Sequence, residues 1–182
     1  MEHISYEQFG VNFVASAVTV ERVENAISDI SGDAVNVGPM SAGPGGIATV
    51  KAVGEVGMPV VHRLEGSTLK FQAKLPIDLQ LDITVAAVPQ RYTGDVEVPL
   101  LLSVHTVEPL TLLIDVKPVV ARDIKVDLVS SGLGGGVLQR VGNIDDEVRK
   151  QVAEVVNERT ASEKARASRE IDVGSMIDDA IT

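Results

Sequence analysis

Residues 69–85 read Leu-Lys-Phe-Gln-Ala-Lys-Leu-Pro-Ile-Asp-Leu-Gln-Leu-Asp-Ile-Thr-Val, and this stretch decides the fold. Every odd position is apolar (Leu69, Phe71, Ala73, Leu75, Ile77, Leu79, Leu81, Ile83, Val85), and every even position is polar or proline. A period of two marks a strand with one buried and one wet face. At about 3.3 Å per residue this run spans roughly 55 Å, against about 17–20 Å for an ordinary strand. A straight strand of that length does not fit a compact sandwich. It must bend at Pro76 or belong to an elongated, strongly curved sheet.

Downstream, a turn at Pro89–Gly94 is expected to reverse the chain into a second alternation. There Val96, Val98, Leu100, Leu102 and Val104 face inward and Pro99 lies near the middle. Residues 112–116 and 124–128 add shorter strands, and the Gly-rich run from Ser130 to Gly136 releases the chain from the sheet. Asn143 is then placed to cap a long helix over 144–170, about 40 Å at 1.5 Å per residue. Asp145, Asp146 and Glu147 suit its first turn. Its apolar stripe is Val148, Val152, Val155 and Val156, continued by the small residues Ala161, Ala165 and Ser168. Ser175 with Asp178 resembles a capping box for a last helical turn.

Upstream, the alternation of Phe9, Val11, Phe13, Ala15 and Ala17 reads as a strand. Thr19 then caps a short helix carrying Val20, Val23, Ile27 and Ile30. Gly38–Gly46 reads as a Gly/Pro loop, followed by strands over 47–53 and 59–64. The expected architecture is α+β, one domain over 1–182. A long, highly curved antiparallel sheet wraps around the long C-terminal helix, and a short helix lies near the N-terminus.

A sheet with one strictly apolar face must be covered. The helix offers valines in its first half and only small side chains in its second. Either those small residues let the helix approach closely and the core is full, or an elongated aliphatic cavity separates helix from sheet. The second alternative makes Leu69, Phe71, Leu75, Ile77, Leu79, Leu81, Val98, Leu100 and Leu102 of the sheet candidate ligand-binding residues. From the helix it adds Val152, Ala161 and Ala165.

Composition narrows the classes. Of 182 residues, 45% are hydrophobic but only 3% aromatic, so the apolar content is aliphatic and sufficient for a packed core. Sixteen basic against 26 acidic residues give a net charge of −10, which disfavours nucleic acid and anionic membrane surfaces as partners. Without cysteine there is no disulfide, thiol nucleophile or thiolate metal site. The N-terminus has neither the basic nor the apolar region of a signal peptide, and no stretch reaches about 20 apolar residues, so a cytoplasmic chain without integral membrane association is expected.

The 69–85 and 96–104 alternations, and the step Ser131-Gly-Leu-Gly-Gly-Gly-Val-Leu-Gln-Arg140 into the helix, resemble a tubular lipid-binding (TULIP, or SMP-like) module. That resemblance implies a fold and an apolar ligand class. The chain also resembles a group of uncharacterised actinobacterial proteins. They share Phe9-Gly-Val-Asn-Phe13 followed by Ala17-Val-Thr19, the loop Val37-Gly-Pro39, and Ala167-Ser-Arg-Glu-Ile-Asp-Val173. The same order of elements is similar to a START-like helix-grip fold, which implies the same ligand class.

Catalytic chemistry finds little support in the residues. His62 shares strand parity with Met58, Val60 and Leu64, and so is a candidate for facing a cavity as an acid or base. His105 has outward parity. Three scattered histidines with no His-x-x-x-His spacing do not suggest a metal site, and no cofactor is expected. Gly132-Leu-Gly-Gly-Gly136 lacks the third glycine and the lysine of phosphate-binding loops. No serine lies in a G-x-S-x-G frame. The acidic turn at 145–147 is explained by the helix dipole, and the mixed charges over 163–170 by a solvated helix side. The expected function is non-catalytic binding of an elongated apolar small molecule or lipid between sheet and helix. The alternatives are an interaction protein that buries its apolar faces in a homodimer and a START-like small-molecule binder.

Overall fold

Two strands form the spine of the molecule. β4 (Lys70–Val85) and β5 (Val88–Val107), of 16 and 20 residues, pair antiparallel along the whole of β4. The computed structural model describes residues 2–28, 32, 34–66, 68–130 and 144–181. Each spine strand has two successive outer partners. Along β4 these are β2 (Ala48–Val56), beside 77–85, and β3 (Val60–Leu64), beside 70–74. Along β5 they are β7 (Lys125–Ser130), beside 92–97, and β6 (Thr111–Val116), beside 102–107. β1 (Ala34–Ala42) extends the sheet beyond β2, and β8 (Glu170–Asp172) extends it beyond β6. The result is a strongly curled antiparallel half-barrel, with eight strands among the described residues.

The alternation in 69–85 is realised: Phe71, Ala73, Leu75, Ile77, Leu79, Leu81 and Ile83 are buried, and their even-numbered neighbours face outward or lie at the surface. Pro76 and Pro99 both sit where the outer partners change. β2 ends opposite Ile77 and β3 begins opposite Lys74, while β7 ends opposite Glu97 and β6 begins opposite Leu102. A proline's missing N–H breaks a ladder only where a neighbour would accept it. At these seams the outer edge is open, so both prolines are tolerated inside long strands.

The curl rests on small residues on the inner face. One row across the sheet runs Val35, Gly54, Leu79, Gly94, Leu128, alternating large side chains with glycines. A Cβ on Gly54 would collide with Leu79 Cδ2 and approach the Asp78 carbonyl oxygen at 3.0 Å. One on Gly94 would collide with Leu128 Cδ2. Each leucine thus folds over a glycine on the next strand, and the rows close up on the concave side.

Among the described residues α2 (Val20–Ser28) and α3 (Ile144–Ala161) cover that side, while α1 (Tyr6–Ala17) stays exposed. Val23 of α2 is buried. α3 buries Ile144, Val148, Val152, Ala153 and Val156 against the sheet. Asn157 anchors it by accepting from the Val119 amide at 2.8 Å and donating to the Val119 carbonyl at 3.0 Å. A short helix α4 (Glu163–Ala167), β8 and a final helix α5 (Val173–Ile181) complete the chain.

Several expectations are corrected. The segment 6–17 is helical: the Ser5 hydroxyl accepts from the Gln8 amide at 3.0 Å, and Phe9 stacks on Phe13 with ring centroids 6.4 Å apart. None of its residues is buried, so the alternation there never reported a buried face. Residues 38–42, read as loop, belong to β1. Gly38 and Pro39 fall in a register shift between Val37 and Met40. There Gly38 has φ 86°, and a Cβ would lie 2.6 Å from the Val50 carbonyl oxygen. The hairpin turn is not at Pro89–Gly94 but at Ala86 and Ala87, which take left-handed φ of 48° and 64° without the usual Asn or Gly signal.

The long C-terminal helix is also shorter than expected. It ends at Ala161 after 18 residues, about 27 Å. Ser162 adopts extended backbone and its hydroxyl accepts from Ala165 N at 3.3 Å, capping a new helix. The last helix is capped by Asp172 rather than by Ser175 with Asp178. The Asp172 carboxylate accepts from the Ser175 amide at 3.0 Å and hydroxyl at 2.7 Å. The Gly-rich run 131–140 and the expected Asn143 cap lie outside the described residues.

Because Gly54 and Gly94 set the curl, Gly54→Val and Gly94→Val should each destabilise the fold by about 1–3 kcal/mol or more through overpacking. Gly10→Val, on an exposed helix with open space around it, should not produce that loss. Denaturant unfolding midpoints measured on the three variants check this.

Candidate functional site

Beneath the Pro76–Pro99 seam, the end of α3 no longer fills the concave face, and a cavity of about 100 Å³ remains. Its sheet wall is Val35, Val56, Leu75, Leu100, Leu102, Ile114 and Val116. α2 closes one side with Val23, Ala26 and Ile27, and α3 contributes Val155 and Val156. The polar rim is Arg159, Thr160, Ser168 and Arg169, with Ala165 between them. An apolar void of about 150 Å³ admits a benzene-sized molecule, whereas ordinary ligand pockets measure about 300–1,000 Å³. This hollow therefore matches a compact apolar group or the end of a chain, and a whole long acyl chain requires the surrounding helices to move.

The rim is assembled by backbone pairing. The Ile114 amide donates to the Arg169 carbonyl at 2.9 Å, continuing the β6–β8 ladder, so the sheet edge fixes the start of the Arg169 side chain. Its Nε donates to the Ala165 carbonyl at 2.8 Å, and Nη2 donates to the Thr160 carbonyl at 2.7 Å. The guanidinium thereby ties the last turn of α3 to α4. Arg159 Nη2 donates to the Ala34 carbonyl at 2.8 Å, across to β1. Partial burial pulls the Arg169 pKa below its ordinary value. Asp115 opposes that shift and Arg166 adds to it.

Of the residues singled out from sequence, Leu75, Leu100, Leu102 and Ala165 come together around the cavity. Phe71, Ile77, Leu79, Leu81, Val98 and Val152 are buried in packed core and do not line it. Leu69 is partly buried and lines a separate groove of about 820 Å³ between α1 and the β5–β6 turn. Ala161 is exposed beside Asp115 and Arg166, away from the cavity. His62 is exposed because Val61 takes the inward position on β3, and His105 is exposed as well. Sequence reasoning missed Arg159, Thr160 and Arg169, and it placed Ser168 on the small-residue stripe without assigning it to the site. Arg169 was readable only as part of a charged helix side, since nothing local announces that 170–172 joins a sheet edge. Among the described residues no helix is long and apolar enough to cross a membrane.

No protein-family model and no curated protein matches this sequence. Among solved structures, the crystal structure of a lipopolysaccharide binding protein is similar over 88% of this chain and 40% of that one, with a TM-score of 0.34 and 10% identity. The chain thus spans less than half the length of that protein.

The elements that carry Arg169 also carry a pH-sensitive cap. Hydrogen bonds from the Ser175 amide and hydroxyl hold the Asp172 carboxyl below its ordinary value of 3.8. A carboxyl lowered in the folded state stabilises fully above its unfolded value, and that stabilisation is lost as pH falls through the folded one. Asp172→Asn should therefore be less stable than the parent near pH 7. Unfolding midpoints at pH 7 and below pH 3 should show the gap closing in acid.

Proposed function

We propose that the chain binds an apolar small molecule or lipid-like tail in the cavity between the half-barrel and its helices. The observation that carries this reading is the hollow itself. Interiors pack to near crystal density, and the void is lined by aliphatic side chains from the sheet, α2 and α3. It lies where the helical cover changes from α3 to the short helix α4. Affinity would come from burying apolar ligand surface at about 25 cal/mol per Å².

A second reading, homodimerisation, rests on α1. Tyr6 is 98% exposed and Phe9 60% exposed, with Ile4 and Val11 also exposed. The apolar face of the sheet is covered within one chain, so a dimer would bury this helix rather than the sheet.

The neutral probe N-phenyl-1-naphthylamine, with one ring in the hollow and the remainder at its mouth, should bind the purified protein saturably. Leu100→Phe, which fills the hollow, should weaken it by about tenfold or more while leaving the thermal midpoint unchanged or raised. Binding unaltered by the filling variant would place the ligand elsewhere. For the second reading, light scattering across a dilution series should show a dimer that Phe9→Glu converts to monomer, whereas a monomer at all concentrations removes that reading.

A further inference from the structure

The cavity wall is aliphatic, yet among the described residues its charged lining consists of two cations, Arg159 and Arg169, with no Asp or Glu. This is unexpected in a chain of net charge −10. A guanidinium beside an apolar surface loses hydration and needs compensation. Arg169 receives it from the neutral carbonyls of Ala165 and Thr160 and, at longer range, from the Asp115 carboxylate, and it forms no ion pair within 4 Å among the described residues. The rim hydroxyls of Thr160 and Ser168 already donate to the carbonyls of Asn157 and Ala165, so the rim's capacity to hold an anion resides in its guanidinium groups. A guanidinium carries five donors in a planar fork suited to carboxylate or phosphate oxygens. Arg169 spends Nε and one Nη2 hydrogen on the Ala165 and Thr160 carbonyls, so Nη1 is the side it would turn to an anion.

Building on the reading of the cavity as a ligand site, we propose that its ligand is an amphiphile with an anionic head, a carboxylate or phosphate. Arg169, with Arg159, holds that head at the rim while the apolar tail enters between Leu75, Leu100 and Leu102. The two arginines stand on neighbouring structure, because Arg169 bonds the carbonyl of Thr160, the residue after Arg159. Arg159 lies on the last turn of α3, Arg169 bonds that turn, and both line the same cavity. The small cavity fits this arrangement: a short apolar end is anchored inside, and the head supplies the orientation that an aliphatic wall cannot.

The test is competition against N-phenyl-1-naphthylamine by octanol, octanoate, octyl phosphate and octylammonium, which share one tail and differ in the head. In the unaltered protein, octanoate or octyl phosphate should displace the probe at concentrations about tenfold or more below octanol, with octylammonium the weakest. The better of the two anions identifies the head. Arg169→Gln should collapse the gap between anion and alcohol while leaving octanol unchanged. Arg159→Gln provides the same comparison if loss of the Arg169 tie to α3 prevents folding. Equal displacement by octanol and octanoate in the unaltered protein overturns the anionic head but leaves apolar binding intact. Displacement by none of the four overturns the cavity reading as well.

Discussion

The structure depends on covering one continuous apolar face built on two long strands. β4 and β5 carry their inward residues without interruption from Phe71 to Ile83 and from Tyr92 to Val104. A flat sheet of that length would expose more apolar surface than the available helices could cover. Curling reduces the area, but it crowds the inner side chains, and the crowding is relieved where Gly54 and Gly94 alternate with Leu79 and Leu128. Glycine in a strand interior costs conformational entropy. Its presence at both positions shows that inner-face volume, not strand propensity, limits this sheet.

The exchange of outer strands follows from the same constraint. Where a spine strand outruns its partner, a second partner takes over, and the handover leaves a short open edge. Pro76 and Pro99 occupy those edges, and Gly57 closes the first by donating its amide to the Pro76 carbonyl at 2.9 Å. The convex side is tied differently: Glu97 links Lys125 of β7 at 3.0 Å with Lys74 of β4 at 3.6 Å. The Lys125 hydrogen bond holds its carboxyl below the usual range. These groups are solvated, so they help to set register and add little stability. The cavity lies inside the seam because the half-barrel has two arcs with separate covers, α3 under one and α2 with α4 near the other.

What could be read in the sequence was whatever depended on local periodicity. The inward set of β4 and β5 and the valine stripe of α3 are period-two and period-3.6 patterns with a buried face. The antiparallel α+β class follows from them. Features set by tertiary pairing were not legible. β1 contains Gly38 and Pro39, which signal a loop unless a register shift accommodates them. α1 shows alternation but buries nothing, so the pattern carries no information about its partner. The helix break at Ser162 is a weak capping signal, and only the docking of 170–172 against β6 makes it decisive. That docking also brings Arg169 to the cavity, so the apolar half of the candidate site was partly visible and the charged half was not.

The charged half bears on how the site would discriminate. An aliphatic wall rewards any apolar surface of the right size, so it distinguishes ligands poorly. A partly desolvated guanidinium acts oppositely: it gives little to a neutral head and much to an anion that replaces the lost hydration. The overall negative charge works against anions at long range, but that field is screened within about 8–10 Å at physiological ionic strength. Selectivity at the Arg159–Arg169 rim would therefore be a contact effect, felt once the tail is seated. On that account the cavity supplies residence and the arginines supply identity, a division that follows from the chemistry of the lining.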